Sequence, residues 1–420
     1  MQMSLAQRLA LGGALPRTLR PGPPAVRIGF LAPLTGPLAP WGLPGLEGCR
    51  LWADWLNGQG GLTIGAARHP VRILDCDTAR GLEATRQGAR TMVAQGARII
   101  LSLGGDSLAP ALPWLMDRGA LVSTLLPFDL SPATPSLIAP AEIHPLFVVT
   151  SVAWLAARRP DLRRVSLCSQ EDLMGLPSLA TYRAAFDAAG ITRVREVRYS
   201  PQGADPAAIL AAMLQEGPQI LCWCSSEPQM VHALTEAAFH AGFRGPILSC
   251  TGDYYPRLVE RTSVDFMQDF IFHFPDFDDP ALVGRAFFFR QPSGFHASFQ
   301  ARYPGHWSAV SWEYAAILDQ WQSAVEIAGS ARADRVLDAM KRGGRMMNAF
   351  GPARWQGEAL FGIDNALIGD WPVVRIQDGR ARIQAFGSVL DWLSRHEGLL
   401  LDHLQDLGLR WQQRAVSRPG

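Results

Sequence analysis

Charge is scarce in this chain. Asp, Glu, Lys and Arg make up 18% of the residues, and the formal net charge is +1. Such a balance offers nucleic acid or an acidic membrane surface no electrostatic hold. Lysine is nearly absent: Lys341 stands alone and the other basic residues are arginines, which we read as a coding bias and not as a phosphate-binding device. No run of eighteen apolar residues occurs, so no segment is expected to span a membrane. The six cysteines, Cys49, Cys76, Cys168, Cys222, Cys224 and Cys250, show neither CxxC nor zinc-ligand spacing. Most sit in or beside apolar strand-like runs, where a free thiol behaves as a small hydrophobe. The nine histidines form no HExxH or HxH pattern. Neither a metal nor another cofactor is expected.

What is present is a long apolar chain. With 420 residues and 48% hydrophobic content, it exceeds one ordinary core and suits two lobes. Strand-like runs at 26–31, 71–75, 99–102 and 121–124 alternate with helical patterns at 43–57, 82–95 and 107–117. The same rhythm returns from 146 to 250, with strands at 164–168, 195–199, 219–223 and 247–250. Repeated βα units predict parallel sheets covered on both faces. Helices follow at 294–303, 309–327 and 332–341, then strands near 353–355 and 373–377. The expected fold is α/β, with two similar lobes, each a parallel sheet flanked by helices.

The most informative stretch runs from Val26 to Gly42: an apolar strand, then Pro33-Leu34-Thr35-Gly36-Pro37, then Trp41-Gly42 before a helix. Loops at the carboxyl ends of parallel strands are where open α/β sheets bind ligands. This stretch resembles the opening of solute-binding proteins of the branched-chain amino-acid type, the type I periplasmic-binding fold. Ser308–Ala316 resembles that family's late helix start, and Gly351-Pro352 to Trp355 followed by Gly357 its closing turn. The resemblance covers about residues 26–385. It implies three crossings between lobes, near 138–147, 271–277 and 345–352, acting as a hinge around a bound small molecule. The implied lobes are 26–143 with 275–347, and 144–274 with 348–386.

The resemblance also locates a site. Relatives hold a ligand carboxylate with serine hydroxyls and helix-terminal amides in the loop after the third strand. Here that loop is Leu103-Gly104-Gly105-Asp106-Ser107-Leu108, with Gly105 in place of the key serine and Ser107 two residues on. Asp106 is a good helix cap, and a capping carboxylate would consume those amides. Leu126 and Pro127 stand where relatives carry a small residue and a threonine. Both halves of the clamp are therefore altered, which argues against a standard α-amino acid. Asp253 matches an acidic residue that pairs with the ligand ammonium in relatives, and equally reads as a cap for the helix from Pro256. If Asp106 and Asp253 both face the cleft, an amide or amine suits it better than an acid. Trp41, Phe128, Trp223, Tyr254 and Phe274 are expected walls. Met174 replaces a frequent tyrosine, and Ser225 completes the set.

The resemblance implies a receptor that closes on a small organic ligand and delivers it to an ABC permease complex, in the periplasm. Residues 1–25 contain Arg8, a short apolar piece at 9–15, Arg17, Arg20 and a proline cluster. That piece is too short for a secretory signal. A leader or flexible segment, and a cytoplasmic ligand sensor of the same fold, therefore stay open as alternatives. Gly105-Asp106-Ser107-Leu108 also spells the motif of GDSL hydrolases, but no Asp-x-x-His follows near the C-terminus, and a nucleophile without a base is not a catalytic unit. No enzyme activity is expected. Residues 387–420 read as an amphipathic helical extension. Cys76 matches a position that some relatives use in a disulfide, but the partner position is Gly104. Thiol titration of the unfolded, unreduced protein is expected to find six free thiols, and a lower number would reveal a disulfide.

Overall fold

The computed structural model describes residues 23–285, 291–344 and 346–416. The proposed leader thus lies almost wholly outside the described residues, as does Arg345 of the third expected crossing. The first half of the chain contributes β1 (Val26–Ala32), a hairpin of β2 (Leu62–Ile64) and β3 (Ala67–His69), then β4 (Val71–Asp77), β5 (Ala97–Ser102), β6 (Val122–Ser123) and β7 (Leu137–Ile138). One sheet has the order β4-β1-β5-β6-β7, and every pairing in it is parallel. The next set is β8 (Arg164–Gln170), β9 (Thr192–Tyr199), β10 (Ile220–Trp223), β11 (Ile247–Ser249) and β12 (Phe270–Phe272). These pair in parallel as β9-β8-β10-β11-β12. Both lobes are therefore wound the same way, with the first strand between the second and third.

Local sequence explains most of these elements. β1 is buried along its length except at Arg27, as a strand covered on both faces must be. The helix Leu43–Gly58 buries Leu46, Cys49, Trp52, Ala53 and Leu56 along one stripe. The expected helix at 107–117 is shorter: Gly105–Ser107 forms a 3-10 turn and the helix starts at Leu112. Pro110 lacks the N–H that a continuous helix would need and disfavours helical backbone at the residue before it.

After β12 the chain returns to the first lobe. The helix Val310–Ala328 lies along Leu43–Gly58, and two glycines permit the approach. A Cβ on Gly48 would sit 2.1 Å from the Ser311 carbonyl oxygen, and one on Gly45 would sit 2.3 Å from the Tyr314 ring.

The last strands are β13 (Met347–Asn348), β14 (Gly351–Gln356), β15 (Ala366–Gln377) and β16 (Arg380–Ser388). β15 runs antiparallel to β12 and carries β14 and β16. It is longer than the expected 373–377 because Gly369 and Pro372, which read as breakers, lie inside it. Its start also touches the first lobe: Ala139 N donates to Asn365 O and Leu367 N to Ala139 O, both at 2.9 Å. One strand thus runs from the edge of the first sheet into the second. Gln320 Nε2, on the first lobe, donates to Pro140 O at 2.9 Å and Met347 O at 3.1 Å, tying two crossings together.

Aromatic rings fill the place where the crossings meet. Phe147 stacks on Trp371 at 5.1 Å and meets Phe274 edge-on at 5.4 Å. Trp312 stacks on Phe277 at 4.9 Å and meets Phe350 edge-on at 5.4 Å. Beyond β16, the helix Val389–Asp406 packs on Gly175–Ala188 of the second lobe. The short helix Trp411–Val416 reaches the other side, where Arg414 Nη2 donates to Leu130 O at 3.1 Å. Among the described residues no helix is long and apolar enough to cross a membrane. Phe147→Ala should lower unfolding free energy by about 3–5 kcal/mol in urea denaturation. A loss near zero would show that the aromatic cluster does not organise the hinge.

Candidate functional site

The carboxyl ends of strands from both lobes face one another across a narrow cleft with a cavity of about 30 Å³. That is room for about two waters and far below an open small-molecule site, so a solute needs the lobes parted to enter. The first lobe contributes Trp41, Leu103, Leu125, Leu126, Ala309, Val310 and Glu313. The second contributes Met174, Ser225, Cys250 and Thr251, while Glu142, His144, Phe147 and Phe274 come from crossings. Among the sequence candidates, Trp41, Leu126, Met174, Ser225 and Phe274 are thus brought together around one cavity.

Asp253 stands beside them in another role. Its Oδ2 accepts from Trp41 Nε1 at 2.8 Å and its Oδ1 from Ala309 N at 2.9 Å. Trp41 and Ala309 belong to the first lobe, and Asp253 follows β11 of the second, so one carboxylate bridges the lobes. It does not cap the next helix: the cap position of Tyr255–Arg261 is Tyr254, with no side-chain cap bond. Tyr254 adopts φ 55°, ψ 30°, a left-handed conformation uncommon for a tyrosine. Its ring lines a neighbouring surface pocket with Arg257 and Trp307, outside the main cavity.

Four further candidates lie away from the cavity. Trp223 is fully buried and its Nε1 donates to Thr235 Oγ1 at 3.0 Å, so it belongs to the core of the second lobe. Phe128 packs edge-on against Phe361 at 5.2 Å, and Pro127 is buried beside it in a 3-10 turn. Phe128 is expected as a wall and Pro127 as an altered clamp position because they follow a strand end, but the turn carries both past the cleft. Asp106 is exposed and supplies no cap bond to its 3-10 turn.

A different carboxylate occupies the expected anion clamp. Asp129 Oδ2 accepts from Gly105 N at 2.8 Å and from Thr124 Oγ1 at 3.1 Å. Gly104, at φ 100°, makes room for it: a Cβ there would lie 2.2 Å from Thr124 Oγ1 and 2.5 Å from Asp129 Oδ2. Gly105 and Ser107 therefore flank a clamp already filled by the chain's own acid. Asp129 follows Phe128 in sequence, and nothing in its local pattern signals this use.

Sequence reading also missed Glu142, Glu313 and His144. Glu142 and Glu313 are buried, at 7% and 0% exposure. No N–H or hydroxyl donor reaches either oxygen of Glu313, whose carboxyl meets only that of Glu142, and His144 Nε2 is buried without a partner. Burial pushes the Glu142 carboxyl up to about 8, against a contribution from Glu313 that lowers it and aided by the charge of Asp253. Burial and the charge of Glu142 push Glu313 well above the ordinary carboxylate range. Burial raises Asp253 too, offset by the Ala309 and Trp41 donors. Burial pushes His144 down to about 3, so its imidazole is neutral. Two facing carboxyls of this kind hold a proton rather than ionise together. Among the described residues no group of three or more His, Cys, Asp or Glu is placed to hold a metal ion.

The sign of the pH dependence follows. A carboxyl raised from an ordinary 4.5 to about 8 keeps a proton in the folded protein that the unfolded chain releases. Its contribution is complete below pH about 4.5 and is lost as pH rises through about 8. The melting temperature of the ligand-free protein should therefore fall between pH 5 and pH 8. Glu313→Gln should flatten that fall and raise the melting temperature at pH 8; an unchanged slope would show that the pair does not titrate.

Comparison with known proteins places this geometry in context. A family model described as periplasmic binding protein matches residues 25–381. No curated protein sequence matches the chain. Similar solved structures include a solute-binding protein of an ABC transporter from Rhodopseudomonas palustris BisB5, in complex with 3,4-dihydroxybenzoic acid. It has a TM-score of 0.71 and 15% identity, covering 87% of this chain and 98% of that one. Another is an ABC transporter substrate-binding protein from Sphaerobacter thermophilus, at TM-score 0.69 and 18% identity, covering 87% and 98%. A third is a branched-chain amino-acid transporter substrate-binding protein from Streptococcus pneumoniae in complex with isoleucine, at TM-score 0.66 and 13% identity, covering 87% and 99%. The match over nearly the whole described body, with the doubly wound sheets of both lobes, shows that the chain belongs to the periplasmic binding protein family.

Proposed function

We propose that the chain is a receptor that closes two lobes on a small organic solute and hands it to an ABC importer on the periplasmic side of a membrane. In this reading, residues 26–143 with 275–347 and residues 144–274 with 348–386 move as two bodies about the crossings. The observation that supports it is the closed cavity between carboxyl strand ends, bridged by Asp253 to Trp41 and Ala309. A bridge between lobes lets closure bury the solute and present a composite surface to a permease. Trp41, Leu126, Met174, Ser225 and Phe274 would contact the solute, with Trp41 and Phe274 supplying rigid apolar area. Aromatic acids and amino acids bound by the structural neighbours set the size class. The reading assigns no catalytic step to Ser107 or to any other residue.

A thermal-shift screen against amines, amides, amino acids and aromatic acids, followed by small-angle scattering, tests this. A binding solute should raise the melting temperature by mass action and reduce the radius of gyration. Failure of every solute class to do either would overturn the receptor reading. Asp253→Ala removes both inter-lobe acceptors. It should enlarge the unliganded radius of gyration and weaken solute binding by about tenfold or more; unchanged scattering and affinity would dismiss the bridge.

A further inference from the structure

We propose that the solute selected by this cleft is an organic cation, with a compact ammonium or guanidinium head seated against Glu142 and Glu313 and an apolar body between aromatic walls. This rests on the receptor reading above. Four independent features of the cavity support it.

First, Glu313 is fully buried, lines the cavity, and has no partner for its carboxyl other than the facing carboxyl of Glu142. A buried acceptor left bare is costly, and a ligand donor removes the cost. Second, Glu142 lines the same cavity and Asp253 stands behind Trp41, while no lysine or arginine is among the lining residues. Burial keeps His144 and His273 neutral, and His232 meets Asp253 O at 2.8 Å outside the lining. The field inside the cleft is therefore negative whenever a carboxyl ionises. Third, the pocket that a solute carboxylate would need is taken, because Asp129 holds the amide of Gly105 and the hydroxyl of Thr124. Fourth, Trp41, Phe147 and Phe274 line the cavity, and aromatic faces attract desolvated cations.

Other occupants fit less well. An anionic solute would meet three carboxyl groups and find its clamp filled. A neutral apolar solute would leave the remaining acceptors of the Glu142–Glu313 pair without donors. A metal ion would lack a chelating set among the described residues. An ammonium or guanidinium head offers several donors to both carboxyls at once. Binding it lets the pair ionise, and the proton held between them leaves to solvent.

A series matched in shape separates these cases: benzylammonium, benzyl alcohol and benzoate, with choline and butylammonium added. Affinities would be measured by isothermal titration on the full chain, on Glu142→Gln and on Glu313→Gln. Benzylammonium should bind about tenfold or more tighter than benzyl alcohol and benzoate. Each glutamine variant should weaken benzylammonium by about tenfold or more and leave benzyl alcohol within about twofold. Benzoate or benzyl alcohol binding as well as benzylammonium would overturn the proposal, as would variants that keep full affinity for the cation. Should a glutamine variant fail to fold, the charge series on the unsubstituted chain decides alone. If an anion or neutral compound binds and contracts the particle in scattering while no cation does, the cation proposal falls and the receptor reading stands. If no solute of any charge binds, both fall.

Discussion

The carboxylate of Asp253 is the contact on which the closed cleft depends. It takes the indole N–H of Trp41 and the amide of Ala309 from the opposite lobe, and hydrogen bonds to a charged group contribute roughly 1.5–3 kcal/mol each. Glu142 and Glu313 are buried beside it with no cationic side chain among the cavity's lining residues. Burying carboxyls is unfavourable unless they are neutral or paired. Closure is thus a contest between a hydrogen-bonded bridge and a poorly satisfied acid pair. Under the proposed function, a group that satisfies the acids would shift the balance toward the closed form.

The contest stays local because the hinge is well built. β15 pairs with Ala139 at one end and with β12 along its length. Asn365 adds Nδ2 bonds to Pro135 O at 3.1 Å and Leu137 O at 2.7 Å. Phe147, Trp371, Trp312 and Phe350 make a packed floor under the cavity. The close seating of Val310–Ala328 on Gly45 and Gly48 fixes the depth of Glu313. The C-terminal helices touch both lobes, through Gly175–Ala188 on one side and Leu130 on the other, so any opening must strain or release that contact.

Much of the fold could be read from the chain. β1, its Pro/Gly loop and the alternation of strands and helices follow from apolar runs bounded by breakers, and the winding of both sheets follows from repeated βα units. The helix at 107–117 was overextended because apolar spacing outweighed Pro110, and β15 was cut short because Gly369 and Pro372 read as breakers. In the cavity, Trp41, Leu126, Met174, Ser225 and Phe274 were found through strand-end position. The same rule misplaced Trp223 and Phe128, because position at a strand end does not say which way a side chain turns.

The amino-acid sequence by itself determined the alternating elements, the two lobes and the family resemblance, since these rest on periodicity and punctuation among near neighbours in the chain. Tertiary structure decided the chemistry of the cleft. Asp253 meets Trp41 across the lobes, while Glu142 meets Glu313 and Asp129 fills the clamp at Gly105 once the first lobe is folded. Each of these pairs joins residues from different elements of the chain. A carboxylate's meaning depends on its surroundings, as cap, bridge or bare acceptor, and no local pattern encodes those surroundings.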